Sequence, residues 1–138
     1  MSEIKVDNLT GKTTAKTVTV TVGASATQSL EQGLAKAWIN FDGTATGAVA
    51  DYDRDSFNMS VTVDNGTGDF TLGFTNNMGN ANYCAVSGGH TSAGTNFSIH
   101  HTFVTTLTTS SLQNLTNDGS GSSNNWNLSN VLVHGDLA

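Results

Sequence analysis

SFNMSVTVDNGTGDFTLGF, from Ser56 to Phe74, decides the fold class. Phe57, Met59, Val61 and Val63 alternate with polar residues, and Phe70, Leu72 and Phe74 do the same further on. A period of two marks a strand with one buried face. Between the two runs lies Asp64-Asn65-Gly66-Thr67-Gly68-Asp69, rich in residues that accept positive φ or bond their own backbone. The stretch therefore predicts two amphipathic strands paired antiparallel.

Outward from this hairpin the same pattern recurs. Ala37 to Phe41 sets Trp38 and Asn40 against Ile39 and Phe41 and ends at Asp42-Gly43, and further strands fit Asn82 to Val86, Asn96 to Val104, Ser110 to Leu115 and Asn130 to His134. Ser87 to Gly94 and Asn117 to Asn125, dense in Gly, Ser and Asn, read as exposed loops. Seven to nine short strands with turn signals between them predict an all-β chain, an antiparallel β-sandwich or jelly-roll-like domain. From Ser29 to Trp38, Leu30, Leu34 and Trp38 recur every four residues, which allows one short helical turn; Gly33 weakens it by about 1 kcal/mol relative to Ala.

Upstream, Thr17 to Val22 alternates strictly, with Val18, Val20 and Val22 on one face. A lone strand cannot bury that face, so the valines need the downstream domain or copies of themselves from other chains. Gly23 to Gln28 is small and polar and reads as a hinge. The predicted organisation is an extended N-terminal arm over residues 1–28 and a sandwich domain over residues 29–138. Trp38 is expected in the core or in an interface between copies.

Composition narrows the function. Charged residues are 12% of the 138, about half the usual share, and the apolar fraction is 36%. Abundant Thr beside Val, Ile and Phe suits strands with hydroxyl-rich outer faces. The net charge is -6, and every Lys and Arg lies at or before Arg54. The second half thus lacks permanent cations to neutralise phosphates, which argues against nucleic acid and against an anionic membrane surface as partner. No apolar run reaches the ~18 residues of a membrane span, and the N-terminal residues lack the apolar core of a signal peptide. Release from a cell is then expected by another route, such as assembly into a particle freed by lysis.

Cys84 is the single cysteine, so no disulfide or thiolate zinc cluster forms within one chain. Its neighbours Tyr83, Ala85 and Val86 predict a buried, inert thiol. Asp51, Asp53 and Asp55 form the densest carboxylate set; in an extended segment they would share one face and could ligate Ca2+, though the EF-hand pattern is not met and a solvated loop offset by Arg54 is the competing reading. His100 and His101 point to opposite strand faces and cannot both hold one ion without a bulge, and His90 and His134 suit hydrogen bonding or an interior or interface position. No Gly-x-Ser-x-Gly elbow and no Cys/His signature occurs, so the expectation is no enzyme, no cofactor and no metal. Sugar binding fits better: Trp126 beside Asn125, and Tyr52 beside Asp51 and Asp53, pair an aromatic ring with hydrogen-bonding groups, while packing is the commoner role of such rings.

Four segments in order carry a family likeness: KAWINFDGT (Lys36 to Thr44), DRDSFNMSVTVDNGTGDFTLGFTNNM (Asp53 to Met78), NANYCAVSG (Asn80 to Gly88) and VLVHGD (Val131 to Asp136). Together they resemble the β-rich domain of tail-fibre and other virion fibre proteins of tailed phages, notably those of marine cyanobacteria. IKVDNLTGKT, Ile4 to Thr13, is similar to the start of such proteins. The resemblance implies a homotrimer in which Val18, Val20, Val22 and Trp38 meet around a common axis, a place on the surface of the phage head or tail, and other virion proteins as partners, with a host-surface glycan as a further contact. Fibres of this sort carry a long shaft, whereas here an arm leads almost directly into one domain. A capsid decoration protein, a short head fibre or a tail adaptor would use the same module, and a lectin-like glycan-binding module is the alternative of another class.

Overall fold

A computed structural model describes residues 6–9, 18–22, 25–46, 51–90 and 101–138. They fall into two compact units, one up to Leu34 and one from Ala35 onward. In the first, β1 (Thr19–Val22) pairs antiparallel with β2 (Ala26–Ser29), and the chain continues into a single helical turn, α1 (Leu30–Gly33). The Leu30 N–H donates to the Val18 carbonyl at 2.8 Å, which seats the turn at the open end of the hairpin. Much of the expected hinge is thus a strand. Ala26 to Gln28 are all exposed and have no apolar alternation, so their pairing comes from backbone hydrogen bonds that leave no mark on the side-chain pattern.

The second unit is a β-sandwich of two four-stranded antiparallel sheets. Its strands are β3 (Ala37–Phe41), β4 (Asp53–Phe57), β5 (Met59–Gly66), β6 (Asp69–Phe74), β7 (Cys84–His90), β8 (His101–Thr105), β9 (Ser111–Asn117) and β10 (Leu128–His134). The first sheet runs in the order β4-β3-β10-β7 and the second β5-β6-β9-β8. Between them lies one apolar core: Ala37, Ile39, Phe41, Val131 and Val133 from the first sheet meet Phe70, Leu72, Phe74 and Leu112 from the second. Each such large side chain taken from water contributes about 1.5–3 kcal/mol. Phe41 and Phe70 interlock edge to face across the layers with ring centroids 5.1 Å apart, and Phe74 and Tyr83 do so at 5.7 Å. The buried Tyr83 hydroxyl donates to the Thr108 and Ser111 carbonyls, so its ring is covered without stranding its oxygen.

The alternation Phe57, Met59, Val61, Val63 predicts one strand with four side chains inside, and the structure departs from it twice. Asn58 takes a left-handed backbone, φ 57°, and there the chain leaves the first sheet for the second. Asn tolerates that region because its short polar side chain bonds locally. Its Nδ2 donates to the carbonyls of Lys36 and Asn76 (2.9 and 3.1 Å), and its Oδ1 accepts the Asn76 N–H at 2.7 Å. Then Met59 pairs with Phe74 but Val61 with Gly73, so Ser60 is an extra residue, a bulge that swaps the faces beyond it. Met59 packs on the core, Thr62 is fully buried, and Val63 is exposed. Thr62 is accommodated inside because its hydroxyl donates to Asp53 Oδ1 at 2.6 Å.

Replacing Asn58 should test the corner. Asn58→Gly keeps the backbone region and loses the side-chain bonds, whereas Asn58→Ala loses both. Urea unfolding is expected to show Asn58→Ala down by about 2–4 kcal/mol, with Asn58→Gly in between.

Candidate functional site

Because Ala37, Ile39 and Phe41 face the core, Trp38 and Asn40 face the other side of the first sheet. Of the two places expected for Trp38, the core or an interface between copies, the core is corrected: Trp38 is half-buried on the outer face. The register assembles that face into rows. Phe57, Trp38, Leu132 and Val86 lie side by side across all four strands, and the next row is Asp55, Asn40, Asn130 and Gly88. An apolar row therefore runs beside a polar one, with Phe57 and Val86 53% and 57% exposed. Where β3, β10 and β7 meet, a groove of about 500 Å³ is lined by Trp38, Asn40, Val86, Gly88, Asn130 and Leu132 among others.

Two details of the groove bear on what it can hold. The Oδ1 of Asn40 is buried and has no hydrogen-bond partner among the described residues, leaving an acceptor unsatisfied at a cost of about 1–3 kcal/mol. At Gly88 a side chain would meet nothing within 4 Å among the described residues. Among the described residues none that lines the groove carries an ionisable group, and Asp55 continues the polar row beyond Asn40.

The residues singled out for sugar binding lie elsewhere. Trp126 is fully buried, and its carbonyl accepts the Gly43 N–H at 2.7 Å. Asn125 Oδ1 accepts the Gly68 N–H, so this amide holds the β5–β6 turn. Gly68 has φ +71°, and a Cβ there would press on the Thr116 carbonyl. Tyr52 is buried beside Phe70, and its hydroxyl donates to Asp64 Oδ2 at 3.2 Å; burial, reinforced by the Asp64 carboxylate, pushes its pKa up. Trp126 and Tyr52 thus turn their rings to the core, and neither offers a face for stacking.

The three aspartates do not share a face. Phe41 pairs with Asp53 and Asn40 with Asp55, so Arg54 is a bulge residue that sends Asp53 toward the core side and Asp55 outward. Asp53 accepts from Thr62, Asp55 accepts the Ser56 N–H, and Asp51 is exposed in the preceding turn. Arg54 reaches Asp42 at 2.7 Å instead. Among the described residues no group of three or more His, Cys, Asp or Glu is placed to hold an ion. His90 and His134 lie on the first sheet's outer edge rows, opposite Leu128 and Cys84, and β8 begins at His101; His100 lies outside the described residues. Cys84 is exposed, contrary to expectation: Ala85 takes the core side of β7, and alternation turns Cys84 and Val86 out.

Val18, just before β1, is half-buried and Val20 within it is 46% exposed, while the side chain of Val22 lies outside the described residues. Val20, Leu30 and Leu34 line a second, smaller hollow of about 190 Å³ within the first unit. Sequence reading missed Asn40, Asn130 and Gly88 as a group. Its own alternation put Trp38 with Asn40, but nothing local says that β10 lies beside β3. No helix among the described residues is long and apolar enough to cross a membrane.

What fold and face together define is an all-β, β-sandwich-like domain with an outer groove. No family model, curated protein or solved structure matches the chain.

Two carboxylates link stability to pH. Burial pushes Asp42 up, but hydrogen bonds from Thr44 and the Arg54 guanidinium outweigh it and hold its pKa below the ordinary range. At Asp118 the Ser120 hydroxyl and the backbone N–H groups of Ser122, Ser120 and Gly121 do the same. Both bind fewer protons folded than unfolded, so their contribution is complete above the unfolded value of about 4 and is lost as pH falls through the folded values. Thermal melts should show a midpoint that drops in that acid window, and a double Asp42→Asn, Asp118→Asn variant should show a shallower drop. The exposed Cys84 thiol should react with a disulfide reagent without denaturant, at one equivalent per chain.

Proposed function

We propose that this chain is a structural protein of a tailed-phage virion, a short homotrimeric fibre of the tail-fibre type that projects from the particle. The order of the four segments supports the family. The single observation that carries the trimer is in the first unit: Val20 is 46% and Leu34 53% exposed, around a hollow lined by Leu30. A two-stranded hairpin with one helical turn is marginal in water by itself. Three hairpins brought together about an axis cover those side chains mutually, while the domain from Ala35 has its own core. Its role is architectural: apolar contacts join the copies, and hydroxyl- and amide-rich loops keep the surface wet. A capsid decoration protein, a head fibre or a tail adaptor uses the same arrangement at another place on the particle.

Sedimentation equilibrium on the full chain should give three times the 14.3 kDa of one copy. A Val20→Asp, Leu34→Asp variant should sediment as one copy and keep its β circular dichroism, because the sandwich core lies in the other unit. A wild-type chain that stays a monomer at the highest attainable concentration removes the trimer. Cryo-EM of intact particles tests the virion itself, with density for the sandwich on head or tail expected; particles lacking the protein would refute the assignment.

A further inference from the structure

We propose that the interior of the sandwich binds a fixed water molecule between its two layers, held by Asn114 of β9 and Ser129 of β10. The inference rests on the core of the second unit and not on the virion reading. The register sets the two side chains opposite each other. One row across the first sheet is Asp53, Phe41, Ser129 and Gly89, and one across the second is Asp64, Phe70, Asn114 and Val104. The rows meet at their second places, where Phe41 and Phe70 touch edge to face at 5.1 Å. Strand spacing is alike in both layers, so one strand further on Ser129 faces Asn114 across the core.

Both residues are fully buried, and neither the Nδ2 nor the Oδ1 of Asn114 nor the Oγ of Ser129 has a hydrogen-bond partner among the described residues. Folded interiors supply a partner to nearly every such atom, because a buried amide left bare weighs heavily against the fold. The chemistry of the three atoms selects the ligand. Nδ2 donates, Oδ1 accepts, and the hydroxyl does either. A cation would satisfy only the acceptors and an anion only the donors, whereas water donates and accepts at once. Three polar atoms also meet the two to four partners that a buried water takes. Ser129 with Gly89 beside it puts little side-chain volume opposite Asn114 and Val104. A Cβ at Gly89 would come within 2.9 Å of the Trp126 ring, so the buried indole covers that end of the row. A direct bond between the Ser129 hydroxyl and Asn114 would satisfy one amide atom and leave the other bare. The bridging water satisfies both and joins β9 to β10 in the middle of a core held by apolar contact.

Water-selective NOE and ROE spectra of the isotope-labelled full-length protein test the site without any variant. The Asn114 Nδ2 protons should show cross-peaks to water, with the sign of a molecule that stays longer than the protein takes to tumble. Deuteron relaxation dispersion counts such long-lived waters, and a double Asn114→Leu, Ser129→Ala variant should lose one relative to wild type. Either change alone leaves the other residue stranded with fewer partners, so each should lower the melting temperature. The double variant should melt higher than the sum of the two losses predicts, because both act on one shared molecule. Absence of the water cross-peak at the Asn114 amide overturns the proposal. So does an unchanged number of long-lived waters in the double variant, or single effects that simply add.

Discussion

The left-handed turn of the backbone at Asn58 is the constraint on which the sandwich depends. It is the point where an edge strand of one sheet becomes an edge strand of the other, with no loop to absorb the change of direction. Its side chain bonds the start of β3 through Lys36 and the segment after β6 through Asn76, so one residue ties both layers at that edge. Flanking it, the bulges at Arg54 and Ser60 reset which side chains face inward. Without those resets Val61 and Val63 would enter the core and Thr62 would leave it.

The rest follows from parity. Once Ile39 and Phe41 are committed to Phe70 and the second sheet, Trp38 and Asn40 have only the outer face available. The same holds in β10, where Val131 and Val133 go in and Asn130 and Leu132 go out, and in β7, where Ala85 goes in and Cys84, Val86 and Gly88 go out. The outer groove is thus a by-product of core packing in composition, although its rows exist only because the three strands are in register. A one-residue slip of β10 would put Val131 and Val133 outside, so the burial that stabilises the sheet also fixes the groove.

Much of this is legible in the sequence. Ala37 to Phe41 is a strand with the expected bounds, and β6, β9 and β10 lie within two residues of the expected runs, because one buried face imposes a clean period of two. What escapes are the features without a side-chain period. A bulge adds a residue that looks like any other polar one, so the aspartates of β4 seem to share one face, and the valines of β5 seem to share that of Met59, when they do not. The strand β2 is held by backbone pairing and exposes every residue but Ser29. Asn114 is fully buried in β9 although its chemistry predicts the surface. At the candidate site, the pairing of Trp38 with Asn40 is readable, but the presence of Asn130 and Leu132 beside them depends on contacts some ninety residues apart in the chain. Trp126 and Tyr52 look like surface aromatics because their neighbours are Asn and Asp; in each case the ring nevertheless turns in.

The position of β10 has a consequence for biosynthesis. It is the last strand in the chain order and sits in the middle of its sheet, between β3 and β7, which have no other link to each other. During translation the earlier strands emerge from the ribosome with Ile39 and Phe41 unsheltered, and they cannot close their layer until residues 128–134 have cleared the exit tunnel. Closure of this sheet therefore waits for β10, a single late event in which the nascent polypeptide gains its first sheet and its groove together.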